Sequence, residues 1–489
     1  MDLGRGVQLI TYPDSLGGSL AALADVLDEE LPGLFPGGVH VLPPFPSSGD
    51  RGFAPLTYDA IDPAFGTWAD VRRIGERTPV VLDVMVNHVS ARSAQFADFR
   101  ARGPVSPWAD LFITLDKVWP SGEPDPADLD RIFLRRARPW STYPVGDPPA
   151  PTRVWTTFGR EDPSEQVDLD VRSPRFRELV ESWFARFTAN GVRMVRLDAV
   201  GYLAKRPGTA CFMVQPDTDG ILAWLDGIAA RHGITLLPEV HARPDVAAAL
   251  SARGSWAYDF VLPYRVLEAL LIGDARRLAG HLATRPARLV NTLDCHDGIP
   301  VKPDLDGLYD PADARSVVDT CLRRGGNLSR VVAREHQDGD GFDAHQIRGT
   351  FYSLLGCDDD GYVAARAIQL FAPGIPQVYY VGLLAGENDP AAVDRTGDGR
   401  AVNRHDYTRD EIRAARRRSV VQRLERLIRL RNAHPAFTGQ FSAALAASGC
   451  LRLCWSAGED LISLDVDVRR RDAVVELTGA GGGHETFVL

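Results

Sequence analysis

The sequence predicts an α/β fold: a (β/α)8 TIM barrel with two loop insertions, B and B', and a small C-terminal β-domain. Three observations predict it. Short apolar runs alternate with amphipathic helical stretches as far as residue 437. The runs are apolar throughout, which marks parallel strands covered on both faces. Two stretches, 89–170 and 298–350, break the alternation directly after strand candidates, where barrel enzymes carry the loops that build their sites. An open doubly wound sheet is the other architecture this pattern permits.

Taken in order, VQLITY (7–12), GVHVLP (38–43), PVVLDVMVNH (79–88), VRMVRLDAV (192–200), ITLLPEVH (234–241), ARLVNTLD (287–294) and PQVYYVG (376–382) read as buried strands. SPRFRELVESWFARFTANG, GILAWLDGIAARHG and YVAARAIQLFAPG read as helices between them. At 489 residues the chain exceeds the ~250 of a typical barrel, and the insertions account for the excess. The helix SVVQRLERLIRLRNAHPAF (419–437) ends near Pro435. LRLCWSA, DLISLDVDV and AVVELTGAGGGHETFVL then read as β-hairpins, with GAGGG as a turn. The expected division is 1–88, 171–298 and 359–438 for the barrel, 89–170 and 299–358 for the insertions, and 439–489 for the terminal β-domain.

Composition narrows the function. At 45% hydrophobic the chain can bury a large core, and 25% charged residues is ordinary for a soluble protein. A net charge of -10 argues against a nucleic-acid partner, which needs a basic face. A local arginine cluster can still hold a small anion. No basic segment followed by an apolar run opens the sequence, and no window approaches the ~20 apolar residues of a membrane span. The cysteines Cys211, Cys295, Cys321, Cys357, Cys450 and Cys454 form no C-x-x-C pair, so neither a zinc site nor a disulfide framework is expected. A cytoplasmic protein is the expectation.

Within VRMVRLDAV, alternation puts Arg196 and Asp198 on one face of an apolar strand. A buried structural ion pair is one reading; an ionised carboxylate held by its neighbouring guanidinium is the other. Other strand ends decide between them. Glu239 ends LLPEVH, His296 and Asp297 end VNTLDCHDGI, and Asp83, Asn87 and His88 come from VVLDVMVNHVS. Carboxylates and histidines from four strands at one rim would be costly to pack dry, so a site is the better reading. Three carboxylates, two histidines and an arginine suit glycosidic cleavage. That reaction needs one carboxylate at the oxocarbenium-like carbon and another carboxyl to protonate the leaving oxygen.

DVMVNH, VRLDAV, PEVH and LDCHDGI resemble the four signature segments of the α-amylase superfamily, glycoside hydrolase family 13. QLITYPDSLGG, GDRGFAPLTYDAIDP, FVLPYRVLEAL, AIQLFAPGIPQVYYVGLLAGENDP and GRAVNRHDY resemble its sucrose phosphorylase group through residue 437. The resemblance implies Asp198 as nucleophile, Glu239 as general acid/base and Asp297 as the carboxylate that steadies the transition state. It implies His88 and His296 as donors to the same glucosyl unit, with Asp50 and Arg400 closing the far end of the pocket. Phe53, Phe158 and Gln166 match lining positions. The implied reaction is double displacement, with inorganic phosphate attacking a covalent glucosyl enzyme to release α-glucose 1-phosphate. No cofactor and no metal are implied.

On the acceptor side, RIFLRRARPWST supplies Arg135, Arg136 and Arg138. A solvated basic run is the plain reading of such a cluster. The resemblance places Arg136 at a phosphate-binding position and Arg135 where sucrose phosphorylases carry proline. In GDGFDAHQIRGTFY, Phe342, Asp343 and Gln346 match a mobile acceptor loop, and His345 stands where those enzymes carry tyrosine. DGDGFD reads as a flexible turn, since Phe342 occupies a required calcium-ligand position. Added arginine and histidine donors suit a phosphorylated leaving group. The implied substrates are sucrose 6'-phosphate and inorganic phosphate. Plain sucrose is the alternative, ahead of glucosylglycerol, glucosylglycerate, or a hydrolase or transglucosidase chemistry.

Overall fold

The computed structural model describes residues 6–332, 342–479 and 484–489. Eight strands, Gln8–Thr11 (β1), Gly38–Val41 (β2), Val80–Met85 (β3), Val192–Asp198 (β4), Thr235–Pro238 (β5), Ala257–Asp259 (β6), Leu289–Asn291 (β7) and Ile375–Tyr379 (β8), form one sheet. Its order is β6-β7-β8-β1-β2-β3-β4-β5, chain order with β8 returning beside β1. That cyclic order is the topology of a (β/α)8 barrel, and pairing is parallel at β6–β7, β7–β8, β8–β1, β3–β4 and β4–β5. Seven strands fall on predicted runs. The eighth, β6, is three residues long, too short for any periodicity to mark it.

Several predicted strands stop early, because polar residues leave the ladder for other partners. β7 ends at Asn291, where Thr292 Oγ1 turns to donate to the Asp294 carbonyl at 2.5 Å. β3 ends at Met85, and His88–Ser90 pairs antiparallel with Gln166–Asp168.

Among the described residues the chain divides into two compact units, one built from 41–240 with 331–332 and the other from 6–40, 241–330 and the described residues from 342 onward. In the first, the 89–170 stretch contains a helix at Ala94–Arg102 and an antiparallel hairpin of Trp140–Val145 with Ala150–Trp155. Ile113, Leu115, Val118, Trp119, Ile132 and Trp155 form its core. The helix Pro174–Ala189 starts where Ser173 accepts from Arg175 N and proline takes the first turn. It buries Phe176, Val180, Trp183, Phe184 and Phe187 on one face and delivers the chain through Asn190 and Gly191 into β4.

The second unit ends in a five-stranded antiparallel sheet: Gln440–Leu445, Leu451–Ala457, Asp460–Asp467, Asp472–Thr478 and His484–Val488. Alternate residues Leu451, Leu453 and Trp455, then Ile462, Leu464 and Val466, are buried, as hairpins with one covered face require. Gln440–Leu445 has no predicted counterpart, since it lies at an edge and carries no buried face to write into the sequence. Residues 480–483 of the GAGGG turn lie outside the described residues. Among the described residues, no helix is long and apolar enough to cross a membrane.

Trp455 ties this sheet to the helix Asp359–Phe371: its Nε1 donates to the Phe371 carbonyl at 2.7 Å, and the Arg431 guanidinium lies 5.3 Å from its ring. Trp455→Ala should destabilise the protein by about 3–5 kcal/mol, read as a lower denaturation midpoint with kcat unchanged.

Candidate active site

In the first unit the charges of β4 meet a third strand. Arg196, 3% exposed, donates through Nη1 to Asp83 Oδ1 at 2.5 Å and to Asp198 Oδ1 at 2.9 Å. Parallel register aligns Arg196 with Asp83 on β3. Glu239 follows β5, and its Oε1 lies 3.7 Å from Arg196 Nη2. Its other oxygen, Oε2, accepts from the Ala199 N–H at 3.0 Å. Ala199 adopts a left-handed backbone, φ 58°, ψ 32°, which turns the chain out of β4 and aims that N–H at Glu239. Such a conformation costs a non-glycine residue about 1 kcal/mol, strain of the kind that collects at functional sites. One guanidinium thus fixes both carboxylates implied as nucleophile and acid/base.

Beside them lies a lining of ring and amide. The Phe53 ring faces the Arg196 guanidinium at 5.8 Å. The Phe53 carbonyl contacts His88 Nε2 at 3.0 Å and accepts from Gln166 Nε2 at 3.4 Å. A carbonyl only accepts, so Nε2 of His88 carries the proton. Burial lowers the ring's pKa, against the Asp168 and Asp50 carboxylates, and keeps it neutral. His88 Nδ1 and Gln166 Oε1 are buried acceptors with no hydrogen-bond partner among the described residues. Phe158 packs against His88 and Tyr202, ring centroids 5.3 and 5.1 Å away. Asp50 sits on a turn in which Asp50, Arg51 and Gly52 all have positive φ. Gly52 is required there: a Cβ would lie 2.6 Å from the Pro43 carbonyl oxygen.

The arginines behave differently. Arg135 lies 6.0 Å from the Phe158 ring. Arg136 is turned into the insertion, donating to Ser141 Oγ at 3.1 Å, Thr156 Oγ1 at 2.8 Å and the Glu161 carbonyl at 2.7 Å. Arg138 pairs with Asp162 at 2.5 Å, both well exposed.

In the second unit, Asp297 is held by Arg400 Nη1 at 3.2 Å and faces Arg404 Nη2 at 3.7 Å and His296 Nε2 at 3.6 Å. His296 and Asp297 lie in the loop beyond β7, past the strand end where the sequence puts them. His345 and Gln346 stand on a strand, Ala344–Arg348, rather than in a loop. His345 Nδ1 contacts the Lys302 carbonyl at 2.5 Å, and its ring lies 6.0 Å from that of His241. Asp343 pairs with Arg330. Of the DGDGFD run, residues 338–341 lie outside the described residues.

Sequence reasoning missed Lys205. Its ammonium is 2.7 Å from both Asp168 Oδ2 and Asn87 Oδ1 and also bonds the Tyr202 carbonyl. Asp168 further accepts from Thr157 N at 2.8 Å and Asn87 Nδ2 at 3.0 Å. This node anchors the residue before His88 and the turn after Asp198. A lone lysine in an irregular stretch gives no sequence signal; only its burial, 3% exposed, reveals it. Among the described residues, no group of three or more His, Cys, Asp or Glu is arranged to hold a metal ion, and the six cysteines are free thiols.

Comparison with known proteins places this geometry. The α-amylase catalytic-domain family matches residues 27–236. The chain is 51% identical, over the whole length of both, to a sucrose 6(F)-phosphate phosphorylase of Thermoanaerobacterium thermosaccharolyticum. It is 40% identical to a sucrose phosphorylase of Agrobacterium vitis over 97% of each chain. The crystal structure of sucrose 6F-phosphate phosphorylase from Thermoanaerobacter thermosaccharolyticum superposes with TM-score 0.97 at 50% identity, covering 100% of this chain and 99% of that one. The chain belongs to the α-amylase family, in its group of sucrose-type phosphorylases.

The Lys205 node makes a pH prediction. Burial raises the Asp168 carboxyl, but Lys205 and the Thr157 donors outweigh it and hold it below its ordinary 3.8. A carboxyl lowered on folding adds stability above its unfolded value and loses it as pH falls through the folded one. Lys205→Met removes the counter-charge. It should cost about 3–5 kcal/mol near neutral pH and shift the acid-side loss of stability to higher pH, as measured by denaturant titration across the acid range.

Proposed function

We propose that the chain is a retaining phosphorylase that converts sucrose 6'-phosphate and inorganic phosphate to α-D-glucose 1-phosphate and fructose 6-phosphate. The observation that carries this reading is the shared hold of Arg196 on Asp198 and Glu239, in a chain 51% identical to a sucrose 6(F)-phosphate phosphorylase. Asp198 attacks the anomeric carbon while Glu239 protonates the departing oxygen. Phosphate then attacks the glucosyl ester, with Glu239 as base, and configuration is retained. Asp297 and His296 hold glucose hydroxyls, and Asp50 and Arg400 are the residues assigned to excluding a further sugar.

His88 Nδ1 and Gln166 Oε1 support a sugar ligand, because buried acceptors without partners are what hydroxyl donors satisfy. The insertions 89–170 and 299–358 supply the acceptor side: Arg135, Asp343, His345 and Gln346, with Arg136 bracing the first insertion through Ser141, Thr156 and Glu161. Arg135, beside Phe158, and His345 recognise the phosphate of the leaving group, where Arg offers a bidentate fork and His one further charge-assisted bond. Phosphorylated sugars and inorganic phosphate are held inside cells, which supports a cytoplasmic enzyme. The 40% identity to a sucrose phosphorylase supports plain sucrose as the second reading.

Steady-state kinetics separate the two. Sucrose 6'-phosphate should exceed sucrose in kcat/KM by about tenfold or more, equivalent to about 1.4 kcal/mol. Equal or better use of sucrose contradicts the assignment. Arg135→Ala and His345→Ala should each lower kcat/KM for the phosphorylated sugar by about tenfold while changing that for sucrose much less.

A further inference from the structure

We propose that the buried Asp294–Arg366 ion pair is a positioning element, setting the loop after β7 so that Asp297 and His296 meet the sugar. The proposal rests on the role given above to Asp297.

Arg366 stands on the helix Asp359–Phe371 and is 0% exposed. Its Nη2 donates to both carboxylate oxygens of Asp294, at 2.8 and 2.7 Å. Its Nε donates to Tyr362 Oη at 2.9 Å and its Nη1 to Gln369 Oε1 at 2.8 Å. Gln369 in turn donates to the carbonyls of Asn291 at 3.0 Å, where β7 ends, and of Gln377 at 2.8 Å, on β8. The helix therefore grips the loop's first turn and both strands beside it.

From Asp294 onward the loop is held residue by residue. The Cys295 carbonyl accepts from Asn403 Nδ2 at 2.9 Å, the His296 carbonyl from Arg404 Nε at 2.8 Å, and the Asp297 carboxylate from Arg400 at 3.2 Å. The Asp294 grip reaches into the interior of the fold, whereas these three hydrogen bonds go to the turn Gly399–Arg404. Its fit is tight: a Cβ on Gly382 would lie 1.8 Å from Arg366 Nη2 and 2.5 Å from Asp294 Oδ2. Stability alone does not account for such a pair, because well-packed apolar residues in its place are often neutral or stabilising. Placement does. An error of about 1 Å in a group that touches the reacting sugar can cost about a hundredfold in rate.

The test compares the wild type with the Asp294→Leu/Arg366→Met double variant, using α-D-glucosyl fluoride with inorganic phosphate. The fluoride has no fructosyl group, so the result does not depend on which acceptor the enzyme prefers. The double variant should melt cooperatively near the wild-type midpoint, with kcat lower by about tenfold or more and KM changed by less than about threefold. A stable double variant with kcat close to that of the wild type overturns the proposal. Should the double variant fail to fold, the isosteric Asp294→Asn decides. A fall in kcat measured well below its melting temperature supports positioning, and a lower melting temperature with unchanged kcat overturns it. A wild-type enzyme inert toward the fluoride would sink the functional reading and this proposal with it.

Discussion

The guanidinium of Arg196 is the constraint on which the arrangement of the first unit's buried carboxylates depends. An arginine inside an apolar strand is tolerable only if its charge and donors are met, since an unpaired buried ion costs several kcal/mol. Here three carboxylates meet it: Asp83 from the adjacent strand, Asp198 two residues along, and Glu239 just past β5. Asp83 is fully buried and the Asp198 side chain is 14% exposed, so the pairing is graded from interior to rim. The inner contact fixes the arginine; the outer ones orient Asp198 and Glu239.

Local backbone geometry completes the arrangement. Asp198 and Glu239 stand at or just past strand ends, where the chain is rigid on one side and turns on the other. Ala199 turns in the left-handed region and gives its N–H to Glu239 Oε2, while Glu239 Oε1 lies 3.7 Å from Arg196 Nη2. Lys205 performs a similar service from outside the sheet, bracing Asn87 and the Tyr202 carbonyl through one ammonium. In the second unit the loop after β7 is steadied from the helix Asp359–Phe371 and from the turn at Gly399–Arg404.

Most of the barrel could be read from the sequence because buried parallel strands are written as unbroken apolar runs. β6 could not, because Ala257–Asp259 is too short to show a pattern, and Gln440–Leu445 could not, because its residues are half-exposed. Asp198, Glu239 and Asp297 stood out as charges beside apolar runs. Lys205, Asp294 and Arg366 did not, since their importance comes from partners 37, 72 and 118 residues away and from burial. Arg136 shows the converse. Its motif is plain in the sequence, yet its guanidinium is already engaged by Ser141, Thr156 and Glu161.

In the proposed reaction Asp198 forms a covalent bond to glucose which phosphate then breaks. It is tested most directly by mass spectrometry of peptides from enzyme treated with 5-fluoro-α-D-glucosyl fluoride, whose second fluorine slows breakdown of the ester. One fluoroglucosyl adduct is expected, on the peptide bearing Asp198, and it should discharge faster when inorganic phosphate is added. An adduct on another residue, or none, or discharge indifferent to phosphate, would contradict it.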